Sequence, residues 1–168
     1  MPDAMPETEL TVLVVDDDDS NRASIERVLR REKLSVVTAT NAREALDIIQ
    51  QQPIAVIVTD FQMPGMTGID LLRSVKGVSP ETEVILITAY GTIEMAVNAM
   101  KQGAYDFVVK PFKRHDIVRP VTRALEKQQL VLENRRLKAE LDRSLGKRAI
   151  IGQSTVMRET LELVDQVA

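Results

Sequence analysis

A chain of 168 residues with 22 Lys and Arg against 25 Asp and Glu has the length of one ordinary domain plus an appendage, which excludes an enzyme built of several domains. Hydrophobic residues make up 44% and aromatic residues 3%, with no Trp, so Val, Ile, Leu, Ala and Met must close the core. The lack of Cys removes disulfides, thiolate metal sites and thiol nucleophiles, and a single His, His115, removes multi-histidine zinc sites.

Residues 1–9 form a short tail that carries acids where a secretory leader would carry bases, and no apolar run reaches the roughly 18 residues of a membrane helix. The expectation is a soluble, cytoplasmic protein with no membrane partner. Five β-branched apolar runs follow, at Thr11–Val15, Ser35–Ala39, Ile54–Thr59, Val84–Thr88 and Tyr105–Val109. Runs this continuous suit strands buried on both faces. The segments between them place Ile25, Val28 and Leu29, then Ala45, Leu46, Ile48 and Ile49, then Leu71, Leu72 and Val75, then Met95, Ala96, Ala99 and Met100, at helical spacing. Right-handed crossovers turn this alternation into an α/β domain, a (βα)5 doubly wound parallel sheet over residues 10–122. Ligands in such a fold sit at the C-terminal ends of the strands.

Beyond Lys113 the only helix breaker before Gly146 is Pro120, placed near a first turn, so one long helix is expected. Its apolar stripe runs through Ile117, Val121 and Leu125, suited to the sheet, and then shifts to Leu130, Asn134, Leu137 and Leu141. Spacing of four, three and four is a coiled-coil seam over a linker at residues 123–147, and an Asn at an a position favours a parallel pair. Glu133 and Lys138 then occupy g and e positions. Gly146 is expected to end the helix, and Ser154–Val167 reads as another short one.

Charge is divided along the chain. Residues 1–112 hold 10 bases and 17 acids, residues 113–148 hold 11 and 5, and residues 149–168 hold 1 and 3. An acidic body therefore carries a basic arm. Its bases are interleaved with Glu126, Glu133, Glu140 and Asp142 and with no aromatic residue, which fits a solvated helix face better than a nucleic-acid surface.

The strand ends carry the chemistry. Asp16, Asp17, Asp18 and Asp19 follow the first strand, Asp60 the third, Thr88 the fourth, and Lys110-Pro111 the fifth. Carboxylates gathered without a cation repel one another, and a hard divalent ion with oxygen ligands relieves that repulsion. Mg²⁺ suits such a site because it keeps several waters and few carboxylates. Asp18 and Asp19 also read as charge and caps at a helix start.

The segments VVDDDDSNR, TDFQMPGMTG, ITAYG and DFVVKPF, in this order and each at a strand end, resemble a response-regulator receiver domain of the CheY-like type. The resemblance implies that Asp60 accepts a phosphoryl group from a sensor histidine kinase. It implies that Asp17, Asp60 and the Gln62 backbone carbonyl bind Mg²⁺ directly, with Asp16 acting through a water. Lys110 and Thr88 would contact the phosphoryl group, Phe107 would be the aromatic switch or simply core, and Pro111 would follow a cis peptide. The responding surface would include Ile93, Met95, Ala96, Lys101 and Tyr105.

Beyond the receiver, LENRRLKAEL and IIGQSTVMRETLELVDQVA resemble the linker and the opening of the AAA+ domain, residues 148–168, in NtrC-like activators of sigma-54 RNA polymerase. A Walker A loop is not present: Gly146-Lys147 is followed by Arg148, and Leu141 stands where the first Gly belongs. The chain is accordingly expected to be a non-enzymatic phosphoacceptor fragment of a homodimeric activator that engages polymerase and DNA in its full-length form. This fragment itself would bind no nucleic acid. Two rivals remain, a phosphatase of the haloacid-dehalogenase type with Asp16 as nucleophile, and a dimerisation module that takes no phosphate.

Overall fold

The computed structural model describes residues 9–151. Strands β1 (Thr11–Val15), β2 (Ser35–Ala39), β3 (Val56–Asp60), β4 (Glu83–Thr88) and β5 (Asp106–Val109) alternate with helices α1 (Asp19–Arg31), α2 (Ala42–Gln51), α3 (Gly68–Val78), α4 (Ile93–Lys101) and α5 (Arg114–Ile151). All strand pairs are parallel, in the order β2-β1-β3-β4-β5. The doubly wound sheet expected from the alternation is the fold observed.

Alternate strand residues feed two cores. Val12, Val14, Val56, Val58, Ile85 and Ile87 meet Ile25 and Leu29 of α1 and Ile117, Val121 and Leu125 of α5 on one face. Leu13, Val15, Ile57, Val84 and Leu86 meet Ala45, Leu71, Leu72, Val75 and Ala99 of α2, α3 and α4 on the other. Burial on both sides is why these strands read as continuous apolar runs rather than alternating ones. Helix α4 is the least anchored of the set, since Ala99 is its one buried residue.

The strand boundaries shift slightly from expectation. Ile54 and Ala55 precede β3 because their backbone groups are engaged elsewhere: Ala55 N donates to Thr11 O at 2.9 Å and Ile54 O accepts from Thr82 Oγ1 at 2.8 Å. Asp60 itself ends β3, and Glu83 begins β4. Tyr105 drops out of β5 although its amide donates to Val84 O at 2.7 Å.

Two expectations about the last helix are corrected. Pro120 is not near a first turn but buried inside α5, because Asp116 Oδ2 accepts from Lys113 N at 2.8 Å and starts the helix upstream. Gly146 does not end α5, which continues to Ile151. A lone Gly costs a helix interior about 1 kcal/mol relative to Ala and stops it only where a left-handed cap follows. The expected helix at Ser154–Val167 and the tail at 1–8 lie outside the described residues.

The chain divides into two compact units, Met1–Gln128 and Gln129–Ala168. Within the first, α5 is secured as far as its last residues: Gln128 Nε2 bonds Glu81 O, while Lys127 Nζ contacts Glu83 Oε1 at 3.0 Å and lies over the Tyr105 ring at 5.7 Å. No helix among the described residues is long and apolar enough to cross a membrane.

Four helices begin with a side-chain oxygen accepting from their own first turn: Asp18, Asn41, Thr67 and Thr92. Thr67 and Asp70 complete a capping box that starts α3 against the end of β3. Gly68 fits there because a β-carbon would stand 2.5 Å from Asp60 O and 2.9 Å from Phe61 Cα. Gly77, in the same helix, has nothing within 4 Å of that point. Opposite effects follow. Gly68→Ala should lower stability by about 2 kcal/mol or more because backbone must move, whereas Gly77→Ala should raise it by about 0.5–1 kcal/mol. Urea unfolding of the two variants checks the pair, and equal effects would contradict the geometry.

Candidate functional site

The chain runs from β1 outward to β2 and then returns to β3 on the other side of β1. That reversal opens a crevice between the ends of β1 and β3. Each of these ends delivers an acid. Asp16 follows β1, with its amide donating to Ala39 O at 3.2 Å, and Asp60 is the last residue of β3. Asp17 comes next to Asp16 on the exposed side. One carboxylate oxygen from each of Asp16, Asp17 and Asp60 lies within 4.8 Å of the others.

Lys110 reaches this cluster from the end of β5. Its Nζ donates to Asp60 Oδ2 at 3.4 Å and stands 4.0 Å from Asp16 Oδ2. The peptide bond between Lys110 and Pro111 is cis, and Lys110 N donates to Thr88 O at 2.7 Å. Strand β5 thereby fixes the base beside acids that the sequence places 50 and 94 positions earlier.

Burial divides the three acids. Asp16 is 1% exposed, the Asp60 side chain is 14% exposed, and Asp17 is exposed. Burial pushes the Asp16 carboxyl above its ordinary value of 3.8, and the charges of Asp60 and Asp17 push the same way. The Asp18 amide, donating to Asp16 Oδ1 at 2.9 Å, and the Lys110 ammonium oppose them. Three carboxylates against one ammonium leave two negative charges uncompensated when all are ionised. Hard oxygen donors on a half-open edge fit a divalent cation that keeps part of its water shell.

The remaining acids of the run are used locally. Asp18 caps α1, its Oδ1 accepting from Asn21 N at 2.9 Å, and Asp19 pairs with Arg22. Arg22 also donates from Nη1 to Asp16 O at 2.8 Å, a support that sequence reasoning missed. Its signal was a base one helical turn behind an acidic run. Gly68 was noted only as part of a turn, and its approach to the Asp60 backbone needs coordinates to be seen.

Other expected residues fall around this centre. The exposed Gln62 donates its amide to Asp60 Oδ1 at 3.4 Å. Met63 is buried under the loop, where its sulfur accepts from Thr59 Oγ1 at 3.9 Å. Thr88 ends β4, is 1% exposed, and accepts from Tyr90 N at 3.1 Å. The β3–β4 register pairs Asp60 with Ile87, which puts Thr88 one residue further along the neighbouring strand. Phe107, on β5, is partly buried against the core shared with α2, α3 and α4, and a β-carbon at Gly91 would stand 3.2 Å from its Cε1. Ile93 is 84% exposed, Lys101 is exposed, and Met95, Ala96 and Tyr105 are half-buried. Leu130, Asn134, Leu137 and Leu141 are exposed residues of the second unit.

The chain is 39% identical over 169 residues to the C4-dicarboxylate transport transcriptional regulatory protein DctD of Pseudomonas aeruginosa, covering 99% of this chain and 36% of that one. It is 32% identical over 157 residues to the DNA-binding transcriptional regulator NtrC of Escherichia coli, covering 94% and 33% respectively. The solution structure of the beryllofluoride-activated NtrC4 receiver domain dimer superposes with a TM-score of 0.67 at 37% identity, over 70% of this chain and 98% of that one. The chain thus spans about a third of the length of these curated relatives. The family model for the response regulator receiver domain matches residues 12–122, the span that holds the sheet, the acid cluster and Lys110, and the chain belongs to that family.

Proposed function

We propose that Asp60 is the phosphoacceptor of a two-component response regulator, taking its phosphoryl group from a sensor histidine kinase. The observation that carries this reading is the Asp60 carboxylate, partly exposed at a strand end, with one oxygen on Lys110 and two further carboxylates beside it. A carboxylate oxygen of Asp60 attacks phosphorus, the N–P bond of the donor phosphohistidine breaks, and the departing imidazole takes up a proton. Asp60 becomes an acyl phosphate. Lys110 is already placed to neutralise a phosphoryl oxygen as a point charge. Asp16, Asp17, Asp60 and the Gln62 carbonyl would hold Mg²⁺, which when bound draws the acids together and offsets charge on the transferring group. Asp16, buried and held by the Asp18 amide, is a poor nucleophile by comparison, which disfavours the phosphatase alternative.

Phosphorylation adds about −1.5 to −2 of charge and three acceptor oxygens at this edge. The Thr88 hydroxyl exchanges its Tyr90 amide for a phosphoryl oxygen, and Phe107 follows into the space released. Helix α4 responds because it has little buried surface to hold it. In a protein related to NtrC and DctD, the consequence is a changed geometry of a homodimer joined through receiver and linker, which governs a sigma-54-dependent activator in the cytoplasm.

Three outcomes test this reading. Incubation with a small phosphodonor and Mg²⁺ should label the peptide containing Asp60, and Asp60→Asn should reduce labelling by at least about 10²-fold. Label on Asp16 would contradict the mechanism. Light scattering with Mg²⁺ and beryllofluoride should show a change in molar mass or in dimer affinity that Asp60→Asn abolishes. The third outcome concerns pH. Because folding raises the Asp16 value above 3.8, the folded state keeps that proton longer than the unfolded chain. The Asp16 contribution to metal-free stability therefore falls as pH rises from 3.8 through the folded value, and the loss persists above it. Asp16→Asn should remove this contribution and raise the stability of the metal-free protein near neutral pH. Added Mg²⁺ should stabilise the unaltered protein more than the variant, as read by urea midpoints.

A further inference from the structure

The second unit presents a row of leucines. Leu130, Leu137, Leu141 and Leu145 are 66%, 55%, 60% and 50% exposed along α5, with Asn134 between the first two. The row is flanked on opposite sides by Glu133 and Lys138. These are five residues apart, the offset at which a g acid of one strand meets an e base of a parallel copy. Charge complementarity and the single polar position both select a second copy of this chain as the occupant, as in the dimer proposed above.

The row does not keep a heptad. Leu130, Asn134, Leu137 and Leu141 step by four, three and four, and a heptad would next take residue 144, which is Ser144. The next apolar residue is Leu145. On a straight helix turning about 100° per residue, Ser144 and Leu145 lie about 50° to either side of the midline of the earlier four. The backbone alone therefore does not choose between them. Left-handed supercoiling brings Ser144 into the seam, whereas unwinding past straight, into a slight right-handed turn, brings in Leu145. Leu130 to Leu141 and Asn134 to Leu145 are each eleven residues apart, the period of a slightly right-handed pair. Helix α5 continues past Gly146 to Ile151, so the seam is not cut short by a helix end at this point.

We propose that the paired linker changes register after Leu141, with the two copies burying Leu145 instead of Ser144 and the coil unwinding there into a slight right-handed turn. The inference rests on the dimer reading and adds its course beyond Leu141. Burying an apolar side chain outweighs the small cost of unwinding, since Ser144 offers the seam only a hydroxyl without a partner.

The chain has no Cys, so single substitutions report directly. Leu137→Cys, Leu141→Cys, Ser144→Cys and Leu145→Cys are introduced one at a time into the full chain and oxidised at a concentration where it is dimeric. Disulfide formation needs close, facing β-carbons. Leu137→Cys, Leu141→Cys and Leu145→Cys should each cross-link at least about fivefold faster than Ser144→Cys. Equal rates at 144 and 145, or a faster Ser144→Cys, would overturn the register change while leaving the dimer intact. Absence of cross-linking at both Leu137→Cys and Leu141→Cys would overturn the dimer reading itself. In sedimentation equilibrium, Leu145→Ser should weaken the dimer about tenfold and Ser144→Ala should leave it unchanged. The reverse order would restore the heptad.

Discussion

Like charges brought to within a few ångströms at the rim of a hydrophobic sheet raise the free energy of the folded state unless something opposite is brought with them. Here Asp16, Asp17 and Asp60 are gathered by a reversal of strand order, and the strand that leads to their one ammonium, Lys110, is the last in sequence and lies at the sheet's edge. The cluster is therefore assembled by the whole domain, although no two of its members except Asp16 and Asp17 are near in sequence. The sheet tolerates it because two apolar layers, one on each face, hold the strand ends in register. The unmet negative charge is also what suits the edge to the divalent cation proposed above.

Much of this was legible in the residues. Strand Thr11–Val15 is found where a continuous β-branched run puts it, because burial on both faces leaves a strong compositional mark. The acids and Lys110 could be placed on one edge from topology alone. Contacts that depend on exact approach left no such mark. Arg22 looks like any helix base until its guanidinium is seen on the Asp16 carbonyl, and nothing in the sequence separates Gly68, tight against Asp60, from the unencumbered Gly77. Gly146 shows the converse failure. It is a breaker by propensity and yet sits inside α5, because good helix formers around it carry the helix through one poor residue.

The two units divide the demands placed on α5. Up to Gln128 its residues belong to the receiver core, where Ile117, Val121 and Ala124 are almost wholly shielded from water. From Leu130 onward, leucines recur at exposed positions. A single helix thus carries two apolar stripes of different phase, which is why its amphipathic pattern averages out when read over its full length.

The four side-chain caps have a consequence for how firmly the edge can grip an anion. Nucleotide-binding proteins often cradle phosphate in bare backbone amides at a helix start. In this sheet the helices that start beside the strand ends already hold Asp18, Asn41, Thr67 or Thr92 against those amides. Under the proposed function, the groups that restrain a phosphoryl group are a lysine, a hydroxyl and a cation, each mobile or exchangeable. Retention time then becomes a property adjustable one side chain at a time, and the fold can serve as a slow clock or a fast one without altering its framework.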